Sequence, residues 1–232
     1  MPDGAQHVAF AYSADGKDRF TTVWPNLNLL DGTKDFKSTI GNNTPNQNAG
    51  ELWFAQNRKI SDLFKAGDNI TISYDIEFLN TELYYDSENT FAAIQLFGGN
   101  WEKLSEVKAK YVGGKFYTKD SHNSSSYVEN PDHKLKVSRT IQLTQDFINA
   151  NGTVKSIQLL YNNVPIGATI KVTDLKLELG STATPWMPSF SEVVKSDYPS
   201  YIGTYTDNNP NNQSTDPARY SWKKIEDYLK GI

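Results

Sequence analysis

Strict alternation of apolar and polar residues runs through the middle of the chain. In NITISYDIEF, Ile70, Ile72, Tyr74, Ile76 and Phe78 fall on one face, and Thr71, Ser73, Asp75 and Glu77 on the other. That is the pattern of a half-buried strand. KLKVSRTIQL repeats it with Leu135, Val137, Ile141 and Leu143, although Arg139 intrudes on the apolar register. SIQLLY and TFAAIQLF predict two more strands, the second apolar on both faces. In GATIKVTDLKLELG, Ile170 and Val172 hold one phase, and Leu175, Leu177 and Leu179 hold the other. A phase switch inside one extended segment predicts a bulge, or a strand that changes the core it faces.

Clusters of Gly, Asn, Pro and Asp separate these runs, as in GNNTPNQNAG, KAGDN, FGGN, NANGT and YNNVPIG. The Gly pairs at 98–99 and 113–114 suit hairpin turns. Helical pattern is confined to short pieces in ISDLFKAG, LTQDFINANG and WKKIEDYLKG. The architecture this predicts is all-β: a two-sheet jelly-roll β-sandwich of roughly eight to ten strands over about residues 26–188. Short irregular flanks, residues 1–25 and 189–232, lie outside it. Neither buries much alone; they pack against each other, the sandwich or neighbouring molecules, unless the second is simply a disordered polar tail.

Composition narrows the function classes. Aromatic residues reach 12%, with thirteen Tyr and five Trp, which suits a core of rings and β-branched side chains. A net charge of −4 supplies no basic surplus for phosphates, so nucleic acid is not an expected partner. There is no cysteine, which removes disulfides, thiolate metal sites and cysteine nucleophiles. No apolar run is long enough to span a membrane. MPDGAQHVAF lacks the layout of a signal peptide. The expectation is therefore release from a cell by a route such as lysis, or a chain excised from a longer protein.

NLNLLDGTKDF opening the sandwich, and VTDLKLELGSTATPWMPS closing it, carry a resemblance. Together they look like the carbohydrate-binding modules of tail-tip and baseplate proteins of siphophages that infect lactic-acid bacteria: evolved distal-tail proteins, tail-associated adhesins and accessory baseplate proteins. The leucines of the closing run with Gly180, Thr184, Pro185 and Trp186 are the more specific part. AYSADGKDRFTT and YIGTYTDNNPNNQSTDPARYSWKKI resemble a motif pair of the same phage structural proteins, often continuous there and here split between Thr22 and Tyr198. The resemblance implies a galactose-binding-like sandwich that attaches a virion tail, outside the cell, to host cell-surface polysaccharide. It also implies other phage tail proteins as partners and several copies per virion, while the lack of a long apolar run gives no expectation of a membrane partner. Two other readings remain: a structural domain of the tail that binds no sugar, and the accessory module of a secreted glycoside hydrolase.

Sugar recognition needs flat rings for the C–H face of a pyranose and planar polar groups for its hydroxyls. Candidates are Trp53 after an Asn-rich loop, Tyr84 and Tyr85 in NTELYYDSENT, Gln95, Trp101 after FGGN, Tyr117 with Tyr127 flanking KDSHNSSS, and Arg139 as a donor fork. Trp53 and Trp186 read more readily as core rings, and Arg139 also suits an edge strand or a pair with Asp75 or Glu77. Asp75 and Glu77 stand roughly 7 Å apart on one strand face, a spacing known among glycosidase carboxylates, but alternating polar residues are the default of a solvated sheet. His7, His122 and His133 show no metal-ligand spacing, and no nucleophile elbow or phosphate-binding loop occurs. The chain reads as non-catalytic and without a cofactor. By analogy with related sandwiches, a structural calcium ion would involve Asp31 and Asp174, without a Ca-loop motif to support it.

Overall fold

The structure, a computed structural model, describes residues 4–34, 39–84, 91–97 and 101–229, of which 91–97 and 229 are described by backbone alone. In chain order its elements are β1 (Ala5–Ala11), β2 (Thr39–Ile40), β3 (Gln47–Trp53), α1 (Ile60–Leu63), β4 (Asn69–Leu79), β5 (Phe91–Phe97), β6 (Lys103–Val112) and β7 (Lys115–Asp120). They continue as β8 (Val128–Glu129), β9 (Lys134–Gln142), α2 (Gln145–Asn151), β10 (Ser156–Asn162), β11 (Thr169–Leu179), β12 (Tyr201–Asp207), β13 (Ser221–Lys224) and α3 (Ile225–Leu229). Among the described residues no helix is long and apolar enough to cross a membrane. By contacts the chain divides into two compact units: residues 1–27, 184–187 and 192–232, and residues 28–183 and 188–191.

The second unit is a two-sheet antiparallel sandwich. Six strands run in the order β3-β10-β5-β6-β7-β8, and four in the order β2-β11-β4-β9. The alternation of β4 puts Ile70, Ile72, Tyr74, Ile76 and Phe78 into the space between the sheets, against Val107, Ala109, Phe116, Ile157, Leu159 and Tyr161. Two buried phenols tie one sheet to the other. Tyr74 on β4 meets the Ser105 hydroxyl of β6 at 2.8 Å, and Tyr161 on β10 donates to the Ile170 carbonyl of β11 at 3.2 Å.

The phase switch of β11 is a bulge. Thr173 pairs with Asp75 and Lys176 with Ser73, so Asp174 and Leu175 together face the single residue Tyr74. Asp174 takes up the extra length in the left-handed region, at φ 53. As a result Ile170 and Val172 before the bulge, and Leu175 and Leu177 after it, all face the core at no more than 1% exposure. The same shift puts Lys176 and Glu178 on the opposite face, where both are also fully buried and pair at 3.4 Å. Burial pushes the Lys176 ammonium pKa down to about 8, against the pull of Glu178.

Tyr84, a candidate for ligand contact, is instead a core residue. A 3-10 turn over Thr81–Leu83, opened by Asn80 in the left-handed region, carries the chain back over the sheet and leaves Tyr84 only 2% exposed. Its ring packs on Phe78 and Phe116. Unlike Tyr74 and Tyr161, its hydroxyl is buried with no hydrogen-bond partner among the described residues. Tyr85 lies outside those residues.

The flanks are not irregular as expected. β1 pairs antiparallel with β12, from Ala5 opposite Asp207 to Ala11 opposite Tyr201, and β13 adds to β12. Trp222 of β13 packs so closely on Gly203 and Gly16 that a Cβ at Gly16, itself at φ 74, would lie 2.0 Å from the ring. His7 stacks on Tyr205 at 4.6 Å between ring centroids, and its Nε2 meets Asp207 at 2.9 Å. Aromatic packing of this kind lets a polar, aliphatic-poor segment fold.

Three outcomes test this account by denaturant unfolding. Asp174→Gly leaves stability unchanged or slightly raised, whereas Asp174→Val lowers it by about 1–2 kcal/mol because a β-branched residue resists φ > 0; equal effects would refute the bulge conformation. Tyr84→Phe costs nothing or stabilises by up to ~1 kcal/mol, since it removes an unpaired buried hydroxyl, while Tyr74→Phe destabilises. Because the folded pKa of Lys176 lies below its ordinary value of 10.5, the folded state holds fewer protons between about pH 8 and 10, and stability rises with pH across that window. A Lys176→Met, Glu178→Leu double variant loses this rise; its persistence there would assign it to another group.

Candidate functional site

The outer face of the six-stranded sheet collects polar and aromatic side chains by register. On β10, Ile157, Leu159 and Tyr161 enter the core, so Ser156, Gln158 and Leu160 face outward. Leu52 sits opposite Ile157, which turns Glu51 and Trp53 of β3 outward beside Gln158 and Ser156. On β6 the inward positions are Val107 and Ala109, and the outward ones Glu106, Lys108 and Lys110. Tyr117 and Lys119 of β7 face out opposite Lys110 and Lys108, because Phe116 and Thr118 face in.

The rim and the middle of this face differ. Trp53, the last residue of β3, is 49% exposed, so it is no core ring. Ser156 and Gln158 are shielded at 2% and 7%. The Ser156 hydroxyl donates to Glu51 Oε1 at 2.9 Å, while the Gln158 side-chain amide has no hydrogen-bond partner among the described residues. It offers a donor and an acceptor in one plane, the geometry a sugar hydroxyl pair requires. Burial pushes the Glu106 carboxyl up, but the hydrogen bond and charge of Lys103, the Ser121 hydroxyl and the Lys108 charge together hold it below the ordinary glutamate value.

Of the residues the sequence singled out, three gather at one end. Trp53 lies in the row of Ser156 and Phe97, and Trp101, 53% exposed at φ 55, stands between Phe97 and β6. Arg139 reaches the start of β6 from the other sheet: Nη1 donates to the carbonyls of Lys103 and Leu104 at 2.9 and 2.8 Å. Those carbonyls sit where the β5–β6 register shifts, so one arm of Arg139 serves the backbone rather than Asp75, Glu77 or a ligand. Gln95 occupies the register position between Gln158 and Lys103; its side chain lies outside the described residues. Tyr117 does not join this group, since Lys110, its partner, is seven residues along β6 from Lys103, roughly 23 Å. The sequence reading missed Gln158, Glu51 and the lysines of β6 and β7. Their signal was there, in the single amide of SIQLLY and the alternation of KAKYV with KFYTK.

The outer face of the four-stranded sheet is chemically different. A groove of ≈400 Å³ there is lined by Asp75, Glu77, Lys134, Lys136, Lys171 and short or aliphatic neighbours, with no aromatic ring. Asp75 lies 3.9 Å from Lys136 and Glu77 3.4 Å from Lys134, the ion pairs of a solvated ladder rather than an acid and base flanking a bond. The residues suggested for calcium have these surroundings. Asp31 Oδ1 accepts from the hydroxyls of Ser189 and Ser191, and Asp174 is the exposed bulge residue. Among the described residues no group of three His, Asp or Glu could hold a metal ion.

No protein-family model matches the chain, and no curated protein sequence matches it. Among solved structures, a carbohydrate-binding module described as CBM4 aligns at 10% identity over 65% of this chain and 88% of its own, with a TM-score of 0.32. The alginate lyase AlyC3 aligns at 13% over 76% and 90%, with a TM-score of 0.36. Neither score separates binding from catalysis. The tripod (BppUct-A-L) from the baseplate of bacteriophage Tuc2009 contains a chain that aligns at 26% identity over 97% of this one and 79% of its own, with a TM-score of 0.56. In fold, and over nearly its whole length in sequence, this chain is similar to a component of a phage baseplate.

Proposed function

We propose that this chain is a non-catalytic, saccharide-binding component of a phage tail tip or baseplate, which adheres to polysaccharide on the surface of a Gram-positive host. The likeness to the Tuc2009 tripod chain supports the baseplate part of this reading, because it covers 97% of the chain and so both units rather than the sandwich alone. The outer face of the six-stranded sheet supplies the chemistry: Trp53 as a half-exposed stacking platform, Trp101 at the adjoining rim, and the Gln158 amide between strands for hydroxyls. Shallow contacts of this type are weak singly. Several copies on one virion, held by other tail proteins, raise the effective concentration and turn weak sites into firm adhesion. The place of action on this reading is the virion tail, outside the cell.

The test is adhesion of the fluorescently tagged chain, multimerised on a scaffold, to intact lactic-acid bacteria and to the same cells stripped of wall polysaccharide. Binding should vanish with the polysaccharide. Trp53→Ala and Trp101→Ala should each weaken it about tenfold, equivalent to ~1.4 kcal/mol, without lowering the melting temperature. A multimer that adheres to no strain of a broad panel would favour a purely structural role in the tail.

A further inference from the structure

We infer that the ligand of the six-stranded sheet's outer face is an anionic polysaccharide, and that Lys108, Lys110 and Lys119 read its negative charge. The inference rests on the saccharide-binding reading above and names the chemical class of its ligand.

The observation is an imbalance of charge on one half of one face. Lys108 of β6 stands directly opposite Lys119 of β7, and Lys110 opposite Tyr117. Like charges in directly opposed positions destabilise a sheet. A single ring holds two of the three ammonium groups: Nζ of Lys110 and of Lys119 lie 4.4 and 5.0 Å from the centroid of Tyr127. That contact fixes two flexible side chains over the face without neutralising them. The carboxylates nearby are already matched, Glu106 with Lys103 and Glu129 with Lys115. Asp120 alternates to the other side of β7 and accepts from the His122 backbone and the Asn123 amide. Among the described residues, Lys108, Lys110 and Lys119 have no carboxylate within ion-pair distance. Such a concentration is out of keeping with a chain of net charge −4.

Its position also bears on ligand size. The lysines lie toward the β6–β7 hairpin, whereas Trp53 and Trp101 lie toward the opposite end of the same sheet. A ligand that touches both is a chain of several sugar residues crossing the strands, not a monosaccharide. Two kinds of group supply negative charge to such a chain, phosphodiesters and uronate carboxylates, and a lysine ammonium accepts either as a point charge.

The experiment titrates the full chain against wall polysaccharide purified from a strain to which it adheres, against the same material freed of phosphate by hydrofluoric acid, and against the same material after carboxyl reduction. Lys108→Gln, Lys110→Gln and Lys119→Gln combined should weaken binding to the untreated polymer about tenfold or more and remove its sensitivity to added salt. The corresponding triple Arg variant should retain both. The melting temperature of the Gln variant should hold or rise, because opposed charges have been removed, so lost binding cannot be blamed on unfolding. Loss on dephosphorylation assigns the charge to phosphate, and loss on carboxyl reduction assigns it to uronate. Equal binding of all three polymers, with the Gln variant indistinguishable from the parent and Trp53→Ala still impaired, overturns the anionic ligand and leaves the saccharide reading standing. Failure of the unaltered chain to bind any of the three overturns both.

Discussion

One additional residue in β11 governs the arrangement of the sandwich. Without the bulge at Asp174, the period of two would carry Lys176 and Glu178 into the core and expel Leu175 and Leu177. With it, both halves of the longest closing strand present aliphatic side chains inward. The corrected register also aims the backbone of Leu175 and Leu177 at Asn28. The Asn28 amide donates to the Leu175 carbonyl at 2.8 Å and to the Thr33 hydroxyl at 3.0 Å, and its oxygen accepts from the amides of Leu177 and Leu30. That buried side chain locks the opening loop. The loop in turn runs beside the end of β3, where the Asp31 amide donates to the Trp53 carbonyl and the Ala55 amide to the Leu29 carbonyl. The bulge, the asparagine, the loop and the exposed tryptophan form one mechanical sequence.

The two outward faces of the sandwich solve the problem of charge in opposite ways. On the four-stranded sheet, Asp75 and Glu77 face Lys136 and Lys134 directly, and attraction across the ladder favours the fold. On the six-stranded sheet, Lys108 faces Lys119, and among the described residues neither has a carboxylate within ion-pair distance. The aromatic residues are divided in the same sense, with Trp53 outward on the six-stranded sheet and none along the groove of the four-stranded one.

Much of this was legible in the residues alone. The alternation of β4, β9 and β10, and the broken phase of β11, were written in side chains whose burial depends only on a period of two. What escaped depended on long-range pairing. Whether Trp53 or Leu52 faces inward is a one-residue choice, made by the pairing of β3 with β10 and by the shift at Leu159/Leu160. Tyr84 sits among polar loop residues, and only the turn at Asn80 shows that the chain doubles back to bury it. The flanks were opaque for a similar reason. Each lacks apolar residues enough for a core, and the aromatic contacts that replace one join positions at opposite ends of the sequence.

That last feature sets an order of events. His7 and Asp207, partners across β1 and β12, are 200 residues apart. At ordinary rates of synthesis a ribosome takes roughly 10–40 s to cover that distance. Throughout this interval the seven residues AQHVAFA hold an unpaired strand edge, while the sandwich encoded between them can already have collapsed. β1 therefore waits for a partner made long after it. A nascent chain stalled after the sandwich is complete but before Tyr201 therefore carries a finished sandwich and one sticky strand, a species prepared to pair with whatever edge it meets first.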